Sequence, residues 1–298
     1  MKKLRMVALF MLTAFLFTIF FHLPAQAAPS AKNDIQGDRI SRKTLIRYLH
    51  VSTDNNTTGA VTYLDHPKLN NNPDEIFFVT QNLNADGGFS ATINEHNIGV
   101  WYSTAVGRWA IINQDTAEMP VGSDYNILIP DYTTDRIFVH QADAGNSSGN
   151  TTFIDKPITN EDPEALLFIT QVVNPGGGSE YTNDHPVGVW YNDLSDQWAI
   201  FNEDGANMEN NRSFFVMVET PPSDVNTTFV HTAEASTITG STTTIDHPDI
   251  NGDPHALLFI THNWNPGGGI LGVYNAYATS TSYNPLSQQW GITNHTPG

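Results

Sequence analysis

The chain has 298 residues, with 31 acidic and 13 basic side chains and a formal net charge of −18 at pH 7. This acidity excludes a nucleic-acid-binding protein of the usual basic type. The absence of cysteine excludes disulfides, thiol catalysis and cysteine-bound zinc, whereas 39% apolar and 11% aromatic residues are enough for packed cores.

Residues 1–27 have the features of a secretion signal. Basic residues near the start precede an uncharged apolar run at 6–23, and residues 25–27 form an Ala-x-Ala cleavage site. The run could also span a bilayer as an uncleaved anchor, although Pro24 favours cleavage. Later segments are too polar to cross a membrane, so we expect a secreted or surface-attached product without a transmembrane segment.

One series of residues recurs three times at a spacing of about 90 residues. Each copy has a His, an Asp 15 positions later, then a Pro, a Thr, an Asn and a Gly; after a loop of variable length come a Tyr, a Trp and an Asn. The sequence therefore predicts a signal peptide at 1–27, an N-terminal segment at 28–46, and β-repeats at 47–131, 136–220 and 227–298.

Within each repeat, short segments rich in β-branched and aromatic residues alternate with Gly, Asn, Asp and Pro, which is typical of strands and turns. Residues 165–170 are apolar at nearly every position, which predicts a central strand covered on both faces. We expect an all-β fold of three tandem β-sandwich or flattened-barrel repeats of about 85–90 residues, each a separate domain. In the first repeat the predicted strands are 48–52, 62–65, 75–81, 98–103, 109–113 and 125–129.

The third repeat is predicted to be incomplete. Polar residues at 279–282 replace the apolar pattern of 98–101, and nothing after Trp290 corresponds to 125–129. A missing last strand leaves unpaired backbone groups beside an apolar face. Residues 34–43 could fill the gap, another molecule could donate a strand, or the repeat could be degenerate or truncated; the lost apolar pattern favours degeneracy or truncation.

The recurrent His and Asp form the first candidate site. Strand alternation places the His on the core side, where the Asp at the end of the next strand is a natural acceptor. A structural pair is the favoured interpretation, and a general-base pair or metal site is the alternative. The pairs are His50 and Asp65, His140 and Asp155, and His231 and Asp246.

A second set of candidates lies in loops. His96, His185 and Tyr277 occupy the same place in the variable loop and are predicted to contact a ligand. Trp264 adjoins a glycine-rich loop and could face solvent. The other recurrent tryptophans are predicted to pack in the core; they are Trp101, Trp109, Trp190, Trp198 and Trp290.

Oxygen-rich loops suit Ca²⁺ in an acidic, cysteine-free protein, although Asx-Pro turns use the same residues without an ion. No cofactor is otherwise indicated. The candidate calcium ligands are Asp74, Glu75, Asp162, Glu164 and Asp253.

The motifs Gly-Val-Trp-Tyr at 188–191 and Trp-Ala-Ile-Phe-Asn-x-Asp at 198–204, preceded by Leu-Leu-Phe-Ile-Thr-Gln and Asn-Pro-Gly-Gly-Gly, resemble a repeated domain of unknown function in secreted bacterial proteins. The resemblance covers about residues 47–298 and implies no activity. Three copies favour a multivalent binding or adhesion protein for carbohydrate or a cell-envelope polymer. The alternatives are a matrix or filament protein that self-associates through the incomplete repeat, and an extracellular hydrolase that uses the His/Asp pairs.

Overall fold

The computed structural model describes residues 15–20, 45–88, 91–131, 134–219 and 228–295, the first of these as backbone alone. The fold is all-β, as predicted, and the repeats follow one order of strands, with seven strands in each of the first two and six in the third. No helix among these residues is long and apolar enough to cross a bilayer.

Strand β1 is Phe15–Phe20 and precedes the repeats. The first repeat contributes β2 Leu45–Val51, β3 Thr57–Thr58, β4 Val61–Tyr63, β5 Phe78–Asn82, β6 Ile98–Ser103, β7 Arg108–Asn113 and β8 Asp124–Pro130. The second contributes β9 Ile137–Gln141, β10 Ser147–Ser148, β11 Thr151–Ile154, β12 Leu166–Val172, β13 Val187–Asn192, β14 Gln197–Asn202 and β15 Ser213–Glu219. The third contributes β16 Thr228–Ala233, β17 Ile238–Thr239, β18 Thr242–Ile245, β19 Phe259–Asn263, β20 Ala278–Asn284 and β21 Gln289–His295.

Three seven-stranded sheets are formed, and each is shared by two repeats. The first sheet has the order β3-β4-β7-β6-β12-β15-β9, the second β10-β11-β14-β13-β19-β1-β16, and the third β17-β18-β21-β20-β5-β8-β2. Each of the first two repeats is a sandwich of four strands in one sheet and three in another. The third repeat has four strands in one sheet and two in another, where they flank β1. The prediction of separate domains is therefore wrong, because hydrogen-bonded sheets run across every boundary.

Short parallel contacts join the repeats within each sheet. Val100 of β6 pairs with Val172 of β12, and Thr281 of β20 pairs with Asn82 of β5. In the second sheet, Gly188 and Val189 of β13 pair with β19. Since the third repeat pairs with the first, the three sheets close into a ring.

The hydrophobic cores are also shared between neighbouring repeats. Leu166–Val172 is a central strand between β6 and β15, as predicted, and nearly all of its residues are buried. The side chain of Phe215, on β15 of the second repeat, lies 5.8 Å between ring centroids from Trp109 of the first. Its neighbour Phe214 packs in the core of its own repeat. Strand β15 thus contributes one face to each of two cores.

Among the described residues, the third repeat has no last strand of its own, and β1 lies in that place. It pairs antiparallel with both β16 and β19, as β8 pairs with β2 and β5, and β15 with β9 and β12. The favoured expectation of degeneracy is therefore wrong, because a strand from the start of the chain completes the sheet. Residues 34–43 lie outside the described residues.

Candidate functional site

The recurrent histidines are largely buried and bind threonine rather than aspartate. His50 Nε2 lies 2.8 Å from Thr62 Oγ1, and His140 Nε2 lies 2.8 Å from Thr152 Oγ1. His231 makes the same contact, at 2.9 Å, with a threonine 12 residues later. Burial lowers the pKa of His50 and of His140 to about 4, and that of His231 in the same direction.

The recurrent aspartates are exposed and stabilise their own loops. Asp65 Oδ1 accepts a hydrogen bond of 2.8 Å from Asn70 Nδ2, and its other oxygen pairs with Arg108. Asp155 and Asp246 accept the same bond from an asparagine five residues later. The expected His–Asp pairing is wrong, because the hydroxyl that binds each histidine lies on a strand of the facing sheet, whereas the aspartate follows that strand in an exposed loop.

The candidate calcium ligands stabilise turns. Glu75 accepts a 2.7 Å bond from Asn72 Nδ2, and Asp162 and Asp253 accept backbone N–H groups two residues later. Among the described residues, no three His, Asp or Glu side chains are placed to hold a metal ion. Asp74 and Glu164 lie in the same turns, and calcium binding at these loops stays a prediction.

The core tryptophans explain why these loops recur. Trp109, Trp198 and Trp290 are fully buried, as predicted. Their indole N–H groups donate hydrogen bonds of 2.8–2.9 Å to carbonyl groups of the acidic loops. Trp101 and Trp190 differ from the prediction: they are half-buried on the opposite face of the sheet, where side chains alternate away from the core.

Two of the predicted loop residues reach the centre of the ring. A cavity of about 120 Å³ lies where β5, β12 and β19 meet, and all three repeats line it. His96 and Tyr277 are among its lining residues, whereas His185 is not. His96 Nδ1 lies 2.6 Å from Asp115 Oδ2, and His185 makes the equivalent contact with Asp204 at 2.7 Å.

The cavity wall includes a ring of three threonine hydroxyls. Each hydroxyl accepts a backbone N–H from a neighbouring repeat: Thr170 from Val79 at 3.1 Å, and Thr261 from Ile169 at 3.1 Å. Thr80 closes the ring by accepting from the third repeat at 3.2 Å. The recurrent threonine therefore joins the repeats around the axis.

A buried acid–base pair lies beside this ring, between the second and third repeats. His262 Nδ1 is 2.7 Å from Glu203 Oε1, and Glu203 Oε2 accepts a 2.6 Å bond from the Asn275 backbone N–H. Both side chains line the cavity and are less than 5% exposed. The sequence patterns do not identify this pair. The only signal is that the corresponding positions at the first junction, 114 and 171, are both glutamine, so both positions change between the two junctions.

Two further polar atoms make the cavity a site for a small polar molecule or water. Gln81 Nε2 and Asn275 Oδ1 are buried and line the cavity, and neither has a hydrogen-bond partner among the described residues. One is a donor and the other an acceptor. The cavity thus has both kinds of hydrogen-bonding group at its wall.

A chain of aromatic rings lies on the face of the second sheet opposite the core. The Trp190 ring centroid is 6.1 Å from that of Phe153 and 6.1 Å from that of Trp264. Trp264 is 6.1 Å from Tyr274, which lies 5.6 Å from Phe201. We call these five residues the aromatic surface; among them Tyr274 is exposed and Phe201 is buried beneath it. Trp264, which the sequence suggested could face solvent, is half-buried.

The loop above the aromatic surface exposes apolar side chains. Ile270 is 88% exposed, Leu271 86% and Tyr274 55%. The corresponding loop over the first sheet differs, because Glu180 there accepts a 2.8 Å bond from the Trp101 indole. In the third sheet Ser282 stands at the tryptophan position. The three outer faces are therefore chemically distinct.

A family model described as a domain of unknown function matches the chain three times, at residues 39–129, 102–218 and 191–297. The matches overlap, in keeping with sheets that two repeats share. Comparisons with curated proteins and with solved structures find no match.

Proposed function

Because the chain belongs to the DUF7452 family, a domain of unknown function, we propose a function from its own geometry: an exported binding or adhesion protein that recognises carbohydrate of a cell envelope or another extracellular polymer. The observation that carries this proposal is the aromatic surface on the second sheet. Aromatic rings pack against the C–H faces of sugars, while the sugar hydroxyls hydrogen-bond to nearby polar groups.

Polar groups of the required kind adjoin the rings. The backbone N–H of Gly269 donates a 2.8 Å bond to Asp193 Oδ2, which places a carboxylate at the edge of the exposed loop. A carboxylate accepts hydrogen bonds from hydroxyl groups. The net charge of −18 disfavours a polyanionic ligand by repulsion, so we propose a neutral or amino sugar polymer.

Because neighbouring repeats share sheets, the three repeats do not offer three identical binding sites. Three independent copies would carry three equivalent sites, whereas the closed ring presents three different outer faces. The second sheet carries the full aromatic surface, and the first carries Trp101 beside Glu180. We therefore propose one principal site, with the first sheet as a weaker second site that adds avidity.

The hydrolase alternative loses the pairs on which it depended. His50 binds Thr62 and is buried, while Asp65 faces solvent beside Arg108. No proton can pass directly between the two side chains in this arrangement. The binding proposal does not require such a pair.

Binding to neutral polysaccharides tests the proposal. Pull-down on cellulose and chitin, and calorimetry with soluble β-glucan, should show binding by the unchanged chain. Trp264→Ala should weaken that binding at least tenfold, because the substitution removes the central ring of the aromatic surface. Leu286→Ala is the control, since Leu286 is an apolar side chain that is 82% exposed in the β20–β21 hairpin of the third sheet, outside the aromatic surface. Absence of binding to all of these polymers, or equal loss in both variants, would contradict the proposal.

A further inference from the structure

The place of β1 in the second sheet is set by pairing on both sides. Strand β16 has β1 as its sheet neighbour, and β19 lies between β13 and β1. Six residue pairs join β1 to β16, and four join it to β19. Without β1, strand β16 has no partner among the described strands of this sheet, and the backbone groups of β16 and β19 that face β1 lose their hydrogen bonds.

The register places residues of the same kind at corresponding positions in all three repeats. The residue opposite the recurrent histidine is Tyr125, Phe214 or Phe17. Two positions later comes a β-branched residue, Ile127, Val216 or Ile19, and then a large apolar residue. Strands β1, β8 and β15 therefore share a pattern of an aromatic residue, any residue, Ile or Val, and a large apolar residue. We call the place of β1 between β16 and β19 the groove.

The residues that fill this groove are the same ones that the sequence marks as a removable secretion signal. Residues 15–20 lie within the apolar run at 6–23, and the predicted cleavage site follows Ala27. Cleavage there removes the covalent link that keeps β1 beside its neighbours. The groove between β16 and β19 then becomes an open edge of the kind that extended peptides join by β-augmentation.

We propose that the third repeat is a strand-acceptor site: when the N-terminal segment is released, the groove between β16 and β19 binds an extended segment of a partner polypeptide that carries the aromatic-x-Ile/Val-large apolar pattern. The chain's own β1 occupies the groove until then. The partner strand runs antiparallel to both β16 and β19, because β1, β8 and β15 all do so. This site is separate from the aromatic surface and does not depend on polymer binding.

A cross-link tests whether the chain's own segment occupies the groove. The chain has no cysteine, so an introduced pair reports one contact. Thr18 lies opposite Val230, and we expect Thr18→Cys with Val230→Cys to form an intrachain disulfide in the full chain. Thr18→Cys with Val139→Cys is the control, because Val139 holds the corresponding position in the second repeat, where β15 is the neighbour. A disulfide-linked dimer, or no disulfide in the first pair, would overturn the assignment.

Strand exchange tests the acceptor site itself. A protease site at residues 25–27 allows the full chain to fold before it is cut. A fluorescein-labelled peptide of residues 14–20, with lysines at both ends for solubility, should then bind the cut chain at least tenfold more tightly than the uncut chain. The same peptide with Ile19→Asp should not bind, because a carboxylate replaces the β-branched residue. Equal binding to cut and uncut chains, or equal binding of both peptides, would overturn the proposal.

Discussion

At the scale of single residues, the recurrent asparagines carry the contacts between repeats. Asn265 Oδ1 accepts the Tyr191 N–H at 2.8 Å, and Asn265 Nδ2 donates to the Tyr191 carbonyl at 2.8 Å. Asn174 makes the same pair of bonds with Tyr102, and Asn84 with Tyr283. Each side chain acts as a short strand partner for a neighbouring repeat.

Replacing Asn265 by alanine should therefore destabilise the whole ring. The substitution leaves a buried N–H and a buried carbonyl of Tyr191 without these partners, and we expect the free energy of unfolding to fall by about 3 kcal/mol. Urea unfolding at pH 7 measures the change. Asn210→Ala is the control, because Asn210 is exposed and should change stability by less than about 0.5 kcal/mol. Similar values for the two variants would refute the role of Asn265.

The buried histidines make stability depend on pH. The pKa of His50 and of His140 is lowered by burial to about 4, below the value of about 6.5 in an unfolded chain. Between these values the unfolded state binds protons that the folded state excludes, so stability falls as pH falls from about 6.5 towards 4. At pH 5 we expect a loss of about 2 kcal/mol for each of these histidines.

Urea unfolding at pH 7 and pH 5 measures this effect. His140→Gln should reduce the loss of stability between the two pH values, because glutamine does not titrate. His255→Gln should leave the loss unchanged, since His255 is exposed. If His140→Gln had the same pH dependence as the unchanged chain, burial would not be holding this histidine neutral.

Packing explains the residues that directly follow the recurrent aspartate in each repeat. His66, Lys156 and His247 occupy the same position, which argues against a zinc site. His66 stacks on Tyr48 at 5.1 Å, and His247 stacks on Phe229 at 4.4 Å. Lys156 lies 5.2 Å above Phe138 as a cation–π contact. The shared requirement is a side chain that packs on an aromatic ring, which both residue types satisfy.

At the scale of strands, a small residue makes room for the buried acid–base pair. A Cβ atom at Gly188 on β13 would lie 2.6 Å from Glu203 Oε1 and 3.0 Å from the Phe201 ring. Such a contact is too close for any real side chain, so the glycine is required by space. Gly99 holds the same position in the first sheet, where the space is less restricted: a Cβ atom there would lie 3.1 Å from the Gln114 side chain.

Gly188→Ala should therefore displace Glu203 from His262 and lower stability by about 1–3 kcal/mol. Differential scanning fluorimetry would show a lower Tm. Gly178→Ala is the matched control, because its Cβ would meet one atom at 3.5 Å, an ordinary contact, and its φ of −78° suits alanine. An equal Tm for the two variants would show that the space at Gly188 is not limiting.

Local patterns are sufficient to predict the strands but not their partners. The six segments expected in the first repeat correspond to observed strands, because alternation and turn residues are local signals. The contacts of Thr80 and Asn84 join residues about 180 to 200 positions apart, which no local pattern encodes. The sequence shows that these residues recur in every repeat. It does not show whether each one stabilises its own repeat or binds the next repeat. The Glu203–His262 pair escapes prediction because only one junction has it.

At the scale of the whole molecule, most recurrent residues belong to the junctions. Gly177 adopts a φ of +69° and packs on the preceding repeat, where a Cβ atom on the glycine would be 3.2 Å from side-chain carbons of Tyr102 and Thr104 and in ordinary contact with Pro73. Gly268 and Pro163 form the corresponding contact at the second junction. With the Thr ring and the Asn–Tyr contacts, these residues bind each repeat to the next, whereas the sequence alone predicts that they stabilise each repeat by itself.

This arrangement predicts how the chain unfolds. Separate domains melt in separate transitions, whereas repeats joined by shared sheets and a closed ring melt together. Each repeat has part of its strands in a sheet that another repeat completes. The three repeats should therefore unfold as one cooperative unit.

Scanning calorimetry of the full chain tests this cooperativity most directly. We predict a single transition whose calorimetric and van't Hoff enthalpies agree, and Asn265→Ala should shift the entire transition to lower temperature. Three resolved transitions, or a shift confined to one part of the heat absorption in Asn265→Ala, would contradict a closed ring of interdependent repeats.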